Sequence, residues 1–435
     1  MKFEDDVADL SRVHRQIDGL ASRAKGRRLE LLVQDGVRFT QLLMERESVV
    51  RVIGRALADA SYRPGVARVS RSFIAGKWRD VARLGPLDVI AHGVVAEILG
   101  ERLEHHLSPR VYSYRAKRSP WQALRWLAKV ARMDSARRPD PRTRGLYVLR
   151  SDIQRYAPTI PLDAESLLWP ELRAICELDE SSPHWEMVRS LVLQELVDAE
   201  GASCSRDRGV LFGAPTSNAL MNMYLIPLDD AFDALRGAYA RFGDDVLFAH
   251  FDLDVVKRAK RELDRVLVAR RLEPNPDKVK IFYWNNAARP APHAPEIEAV
   301  SRLAFLGGWV GFDGTISLPP AKWRAALRDL RARIRRTARL VPDATPEARA
   351  RILAGVTNAA FDLGSDLSVS YKEMLIDLVS DRAQLAQLDY LLALWIAEAA
   401  TGARGPAAFR RLGYRWLRRR AGLESRLVAR NRRPP

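Results

Sequence analysis

Apolar positions recur at weakly helical spacing at the start of the chain, Leu29, Leu32, Val37 and Leu42 among them, so residues 1 to about 60 read as helices. Tyr62-Arg63-Pro64-Gly65 marks a turn. The period then changes. Over residues 66 to 80 apolar and basic positions alternate (Val66, Arg68, Val69, Arg71, Phe73) and run into Gly76-Lys77-Trp78-Arg79, which predicts a basic hairpin. A helix is expected over Leu87 to Leu107 and another from near Ser119, followed by a polar, proline-bearing connection from Asp134 to Arg144. Leu146 to Leu149 reads as an apolar strand ending at Asp152. Residues 163 to 200 look helical, with breaks at Pro170 and Pro183; a Gly- and Pro-bearing loop, Gly209 to Ser217, opens an apolar helix over Ala219 to Leu235. A second hairpin follows, Ala238 to Phe242 and Val246 to Ala249, turned by Gly243-Asp244-Asp245, where glycine supplies the positive φ. A helix from about Asp254 to Arg271 and strands Lys280 to Tyr283 and Ala304 to Val310 complete an α+β core, and from Pro320 onward the pattern is all helix.

Composition narrows the partners. The 435 residues carry 71 basic and 54 acidic side chains, a formal charge of +17, which calls for a polyanionic partner. From Arg404 to Pro435 there are eleven arginines and one acid, Glu424, and arginine suits bidentate phosphate contacts. The plainer alternative is a proteome that uses Arg where others use Lys. Two cysteines, Cys176 and Cys204, exclude a disulfide scaffold or a zinc module. The start, MKFEDDVADL, is charged and gives no expectation of a signal peptide. The apolar run Tyr390 to Ala397 falls far short of the ~20 residues of a membrane span. A cytoplasmic, soluble protein is expected.

Asp152 at a strand end and Asp244-Asp245 at a hairpin tip are the candidate chemistry. Brought together on one sheet, they offer hard oxygen ligands for Mg²⁺ (Mn²⁺ as a substitute), which takes carboxylates together with substrate phosphates. Two such ions about 3.5–4 Å apart activate an attacking hydroxyl and neutralise a leaving pyrophosphate. Asp-Asp also simply favours turns.

The blocks around these residues resemble, in order, the motif series of bacterial reverse transcriptases of the retron and group II intron type. LGPLDVIAHGVVAEILGERLEHHLSPRVYSYRAKRSPWQAL is similar to a fingers block ending in Tyr114, Arg115, Arg118 and Ser119. LYVLRSDIQRYAPTI resembles the first palm motif, with Asp152. The GAPTS wording of Gly213 to Ser217 is similar to retron-type enzymes, YARFGDDVLFA matches the hairpin with two catalytic aspartates, LEPNPDKVKI carries Lys278 at the family's basic position, and AFLGGWVGFDGTISL resembles the block before the thumb. The resemblance spans about residues 60 to 320. It implies a right-hand polymerase: a helical segment over 1–60, fingers over 61–145, a palm over 146–318, and a helical thumb with an arginine-rich extension over 319–435. It also implies RNA-directed DNA synthesis with an RNA template, a DNA product and dNTPs. No endonuclease or maturase signature is present, so a defence-associated ("unknown group") enzyme with a dedicated noncoding RNA fits better than an intron-encoded one.

Carried over residue by residue, Asp152, Asp244 and Asp245 would hold the metals, and Lys278 would protonate or neutralise the pyrophosphate. Lys77 and Arg79 would meet the incoming triphosphate. Arg115 and Arg118 would grip template phosphates, with capping or ion pairing as their plainer role. Two departures fall on sugar recognition. Ala157 stands where the family has a bulky aromatic gate, with Tyr156 just before it, and Phe212 replaces a glutamine before Gly213. They leave open dNTP against rNTP use, and with it a template-independent or ribonucleotide-incorporating polymerase.

Trp323, Leu327, Leu330 and Ile334 form one stripe, and Arg324, Arg328, Arg331 and Arg335 repeat it one position on, an arrangement suited to duplex phosphates. Arg415, Arg418 and Arg419 interleave with Phe409, Tyr414 and Trp416 as a clamp for structured RNA. Arg241-Phe242-Gly243-Asp244-Asp245 faintly resembles a diguanylate-cyclase hairpin, but 244 − 152 = 92 residues is too long for that domain. A non-catalytic binding module is disfavoured because all three carboxylates are present.

Overall fold

The alternating segment after Pro64 folds as the expected hairpin in the computed structural model, which describes residues 2–24, 33–34, 37–74, 77–138, 140, 144–204, 206–362 and 378–431. Ala67–Ile74 and Lys77–Arg83 pair antiparallel from Arg68↔Arg83 to Ile74↔Lys77. The turn at Gly76 and the Lys77 side chain lie outside the described residues. The apolar positions of the hairpin, Ala67, Ala82 and Leu84, bury against Leu196, Leu211 and Ala214. The hairpin thereby seats the loop before Ser217.

The chain divides into two units, Met1–Ser119 with Val148–Lys280 and Pro120–Tyr147 with Ile281–Pro435. In the first, the expected helical stretch 163 to 200 is two helices, Leu168–Cys176 and Pro183–Val192, followed by short strands Leu196–Val197 and Ser203–Cys204 that extend the basic hairpin's sheet. Pro170 does not break its helix. It sits in the first turn, where an N–H would have no partner within the helix. The expected helix Ala219 to Leu235 is two, Pro215–Met223 and Ile226–Ala234. Pro227 has no N–H to donate one turn back, so the helix restarts there. The strand Asp245–His250 lies between Leu146–Asp152 and Ala238–Phe242.

Helix Pro86–Leu103 is apolar on nearly every side and buried. Within it the fully buried His92 bridges two segments: Nδ1 is 2.8 Å from Thr216 Oγ1 and Nε2 3.0 Å from Gln194 Oε1. Gln194 Nε2 donates to Gly65 O and Asp88 Oδ2, so its Oε1 is the acceptor and His92 Nε2 carries the proton. Burial pushes His92 down to about 4 from the ordinary 6.5. The unfolded chain therefore takes up a proton first as pH falls. Stability should decline from pH 6.5 down to about 4 by roughly 3 kcal/mol and then level off. Denaturant melts across that range check this, and His92→Gln should flatten the slope.

In the second unit, helix Pro120–Arg137 buries Trp121, Leu124, Leu127, Ala128 and Ala131. Lys280–Trp284 pairs parallel with Ala299–Val300. The expected strand Ala304 to Val310 is a hairpin, Arg302–Phe305 with Gly308–Gly311, because Leu306 and Gly307 both adopt left-handed backbone and reverse the chain in two residues. Helices Pro320–Arg339, Pro346–Asp362 and Arg382–Thr401 share one core with the tail residues Ala408, Leu412, Leu417, Ala421 and Leu423. Among the described residues no helix is long and apolar enough to cross a membrane.

Candidate active site

Asp152 ends one strand and Asp245 begins its neighbour, so the carboxylates meet at the adjoining ends of two inner strands. The turn between Phe242 and Asp245 is Gly243-Asp244, with Gly243 at φ +62°, the conformation that glycine adopts without strain. The backbone ties the two ends together: Ile153 N donates to Asp244 O at 3.3 Å. A third segment joins them. Asn275 N donates to Asp152 O at 2.8 Å and Gln154 N to Glu273 O at 2.9 Å, which brings the turn Asn275 to Lys278 alongside. Lys278 Nζ then donates to Asp152 Oδ2 at 2.6 Å, with Lys278 43% and Asp152 17% exposed.

The cluster carries excess negative charge. Burial, and next the charge of Asp152, push the Asp244 carboxyl above the usual carboxylate range. Burial pushes Asp245 up as well, with Arg150 opposing from 3.5 Å. Among the described residues no three His, Cys, Asp or Glu side chains are spaced to hold an ion by themselves. The donor set nonetheless fits Mg²⁺, which binds one or two carboxylates and completes its shell with water and substrate phosphates.

Around the cluster stand two further walls. Tyr114 lies 6.0 Å from the Phe242 ring, and burial followed by the charge of Asp244 raises its hydroxyl's pKa. Arg79 lies over the Phe212 ring at 5.4 Å, and Ala82 N donates to Phe212 O at 2.8 Å. Gly213, at φ +116°, allows this approach: a Cβ there would sit 2.7 Å from Ala82 O. Phe212 and Gly213 thus join the loop to the basic strand.

Other expected residues lie differently. Tyr156 is buried and its hydroxyl donates to Met221 O at 2.6 Å, so its ring belongs to the core. Ala157 is buried beside the same loop, its carbonyl accepting from Val210 N at 3.0 Å. Arg115 is bound to Glu104 and to the carbonyls of Ser108 and Val111, the plainer of its two roles. Arg118 stacks on Tyr112 at 5.9 Å. In the second unit Arg324, Arg328 and Arg335 are exposed, while Arg331 pairs with Glu398 at 3.0 Å and lies over Trp395. Arg415 and Arg419 are exposed; Arg418 is tied to Asp389 and to Leu423 O.

Sequence reasoning passed over three site neighbours. Arg150 precedes Asp152 by two on a strand, so the two share a face, and that period was a usable signal. Asn275 was readable only as a turn residue. The third is a buried network behind the hairpin tip. Arg241 and Asp229, both 0% exposed, pair at 2.6 Å, with the Tyr239 hydroxyl on the same carboxylate. Arg241 also donates to Asn222 Oδ1 at 3.3 Å and to Gly243 O at 3.4 Å, and Asn222 is bonded to Ser113. One guanidinium therefore links the aspartate turn to the segment carrying Tyr114.

No family model and no curated protein matches the chain. Solved structures that it resembles include telomerase from Candida albicans in complex with a TWJ fragment of telomeric RNA, at 13% identity and TM-score 0.43, covering 86% of this chain and 67% of that one. Another is apo telomerase from Candida tropicalis truncated from its C-terminal domain, at 12% identity and TM-score 0.44, covering 67% of this chain and 63% of that one. At that overlap and identity the likeness assigns neither a family nor an activity.

Proposed function

We propose that the chain is a template-copying nucleotidyltransferase, an RNA-directed DNA polymerase working with an RNA partner. The observation that carries this reading is the meeting of Asp152, at the end of one strand, with Asp244 and Asp245, at a hairpin turn, beside Lys278 from a third segment. Magnesium held there by Asp152 and Asp244, with Asp245 adjacent, would supply activation of a primer hydroxyl and neutralisation of the pyrophosphate. Lys278, exposed and carrying three donors, is set to exchange Asp152 for the leaving pyrophosphate and neutralise it. Arg79, over the Phe212 ring, would present a fork to the triphosphate. The retron-type wording of Gly213 to Ser217 supports a defence role with a dedicated noncoding RNA.

The test is primer extension on an RNA template with Mg²⁺ and labelled dNTPs. Product length should follow template length; incorporation that ignores the template supports the template-independent alternative instead. Sugar choice is a second readout. An aromatic gate excludes ribonucleotides by clash, and with Tyr156 tied to Met221 the expected gate is Ala157, which offers none. Discrimination between dNTPs and rNTPs should be weak, and Ala157→Phe should lower rNTP use more than dNTP use. Strong dNTP selectivity in the unaltered chain would refute this gate.

A further inference from the structure

The helices of the second unit carry a row of aromatic rings that is partly exposed. Tyr390, on helix Arg382–Thr401, lies 6.0 Å from Phe409, and Phe409 lies 6.3 Å from Tyr414. Tyr390 and Tyr414 are 45% and 39% exposed, whereas Phe409 is half-buried against the core and anchors the row. Arg418 covers Tyr414 from 5.1 Å. The exposed Arg410, Arg411, Arg415 and Arg419 flank the row in sequence. Trp416 is half-buried beneath Arg351 and is not part of it.

Two partly exposed rings side by side, with exposed arginines in the flanking sequence, suit an anionic partner that also offers flat apolar faces. Rings alternating with guanidinium groups suit unpaired bases, which stack on the rings while their phosphates meet the arginines. The Tyr414 hydroxyl accepts from Arg418 Nε at 3.2 Å and Nη2 at 3.1 Å. Both its lone pairs are thereby used, so its proton remains to be donated to a further acceptor such as a ribose 2′-hydroxyl. We infer that Tyr390, Phe409 and Tyr414 form a stacking platform for a single-stranded stretch of RNA on the second unit.

Binding of a labelled 12-nucleotide single-stranded RNA to the full chain, without nucleotides and over a range of salt, tests this independently of polymerase activity. Tyr390→Ala and Tyr414→Ala should each weaken binding about tenfold with the salt slope unchanged, because stacking releases no counterions. Arg415→Gln and Arg419→Gln should each lower the slope by about 0.7. A blunt RNA duplex should be insensitive to both tyrosine changes. Tyr414→Phe, which keeps the ring and the fold, should retain DNA affinity and lose the preference for RNA. Unchanged RNA affinity in the tyrosine variants, equal losses on duplex and single strand, or equal binding of single-stranded DNA by the unaltered chain would overturn the assignment.

Discussion

Asp244→Asn is expected to abolish the proposed metal-dependent nucleotide incorporation and to raise the melting temperature of the chain. Both effects come from one carboxylate. Its charge is disfavoured in the fold by burial and by Asp152, so a neutral side chain of the same shape relieves the fold. The same substitution would remove a ligand from the proposed Mg²⁺, whose charge stabilisation would be worth several kcal/mol, which at 1.36 kcal/mol per factor of ten is on the order of a thousandfold in rate. The sign with pH follows. The carboxyl's folded pKa lies above its unfolded value of 3.8, so between the two the folded state holds a proton that the unfolded state has lost. Stability therefore falls as pH rises through that window, while incorporation rises because a metal competes with protons for the same oxygen atoms. Asp244→Asn should remove this contribution from the stability curve. Asp152→Asn should lose activity without a fall in melting, since its pair with the exposed Lys278 is screened by solvent and its charge is repelled by Asp244 and Asp245. Wild-type incorporation in either purified variant, or incorporation in EDTA, would sink the polymerase assignment.

Asp229→Ala should cost about 3–5 kcal/mol, because it leaves the Arg241 guanidinium buried without its counter-charge. At about 2–4 °C per kcal/mol for a unit of this size, melting should fall by roughly 6–20 °C. Replacing both residues, Arg241→Met with Asp229→Leu, should recover much of that stability, since an apolar pair has no charge to desolvate. It should not recover activity, because the guanidinium that joins Gly243 O to Asn222 is gone and only the backbone bridge from residue 241 to Arg110 and Tyr112 remains. Arg241→Lys separates the roles further: it keeps a charge but lacks the planar fork that reaches Asp229 and Gly243 together. Calorimetry with matched incorporation assays decides between the two contributions.

These residues also show what the sequence could say. The carboxylates were legible because each sits at a boundary that local pattern marks, a strand end and a glycine turn. Arg150 was legible too, by its two-residue offset from Asp152. Arg241 was not, since a charged residue near a turn reads as solvent-facing until its partner twelve residues away is known to face it. Tyr156 beside Ala157 offered two candidates for one gate, and only the bond to Met221 O separates them. The overlong helix over 163 to 200 and the single strand over 304 to 310 failed for another reason. Short strands such as Leu196–Val197 owe their conformation to a partner strand distant in sequence rather than to their own residues. In the tail, eleven arginines suggested a surface, yet Arg426 is fully buried, stacked 4.1 Å from Phe361, with its backbone N–H on Asp389.

The helix Pro120–Arg137 belongs to a unit whose remaining residues begin at Ile281. Its Arg132 reaches Gly314 O, 182 residues further along, and a Cβ on Gly308 would strike its Leu124. On a ribosome adding about 5–20 residues per second, that partner arrives some 10–40 s later. Throughout that interval the helix lacks the cover of the strands Gly308–Gly311 and Ile316–Ser317 that pack on it. Synthesis of this chain thus includes a period of obligatory exposure, set by gene order rather than by stability. A slower translation rate lengthens it, and a chaperone that binds apolar helices has its clearest target there.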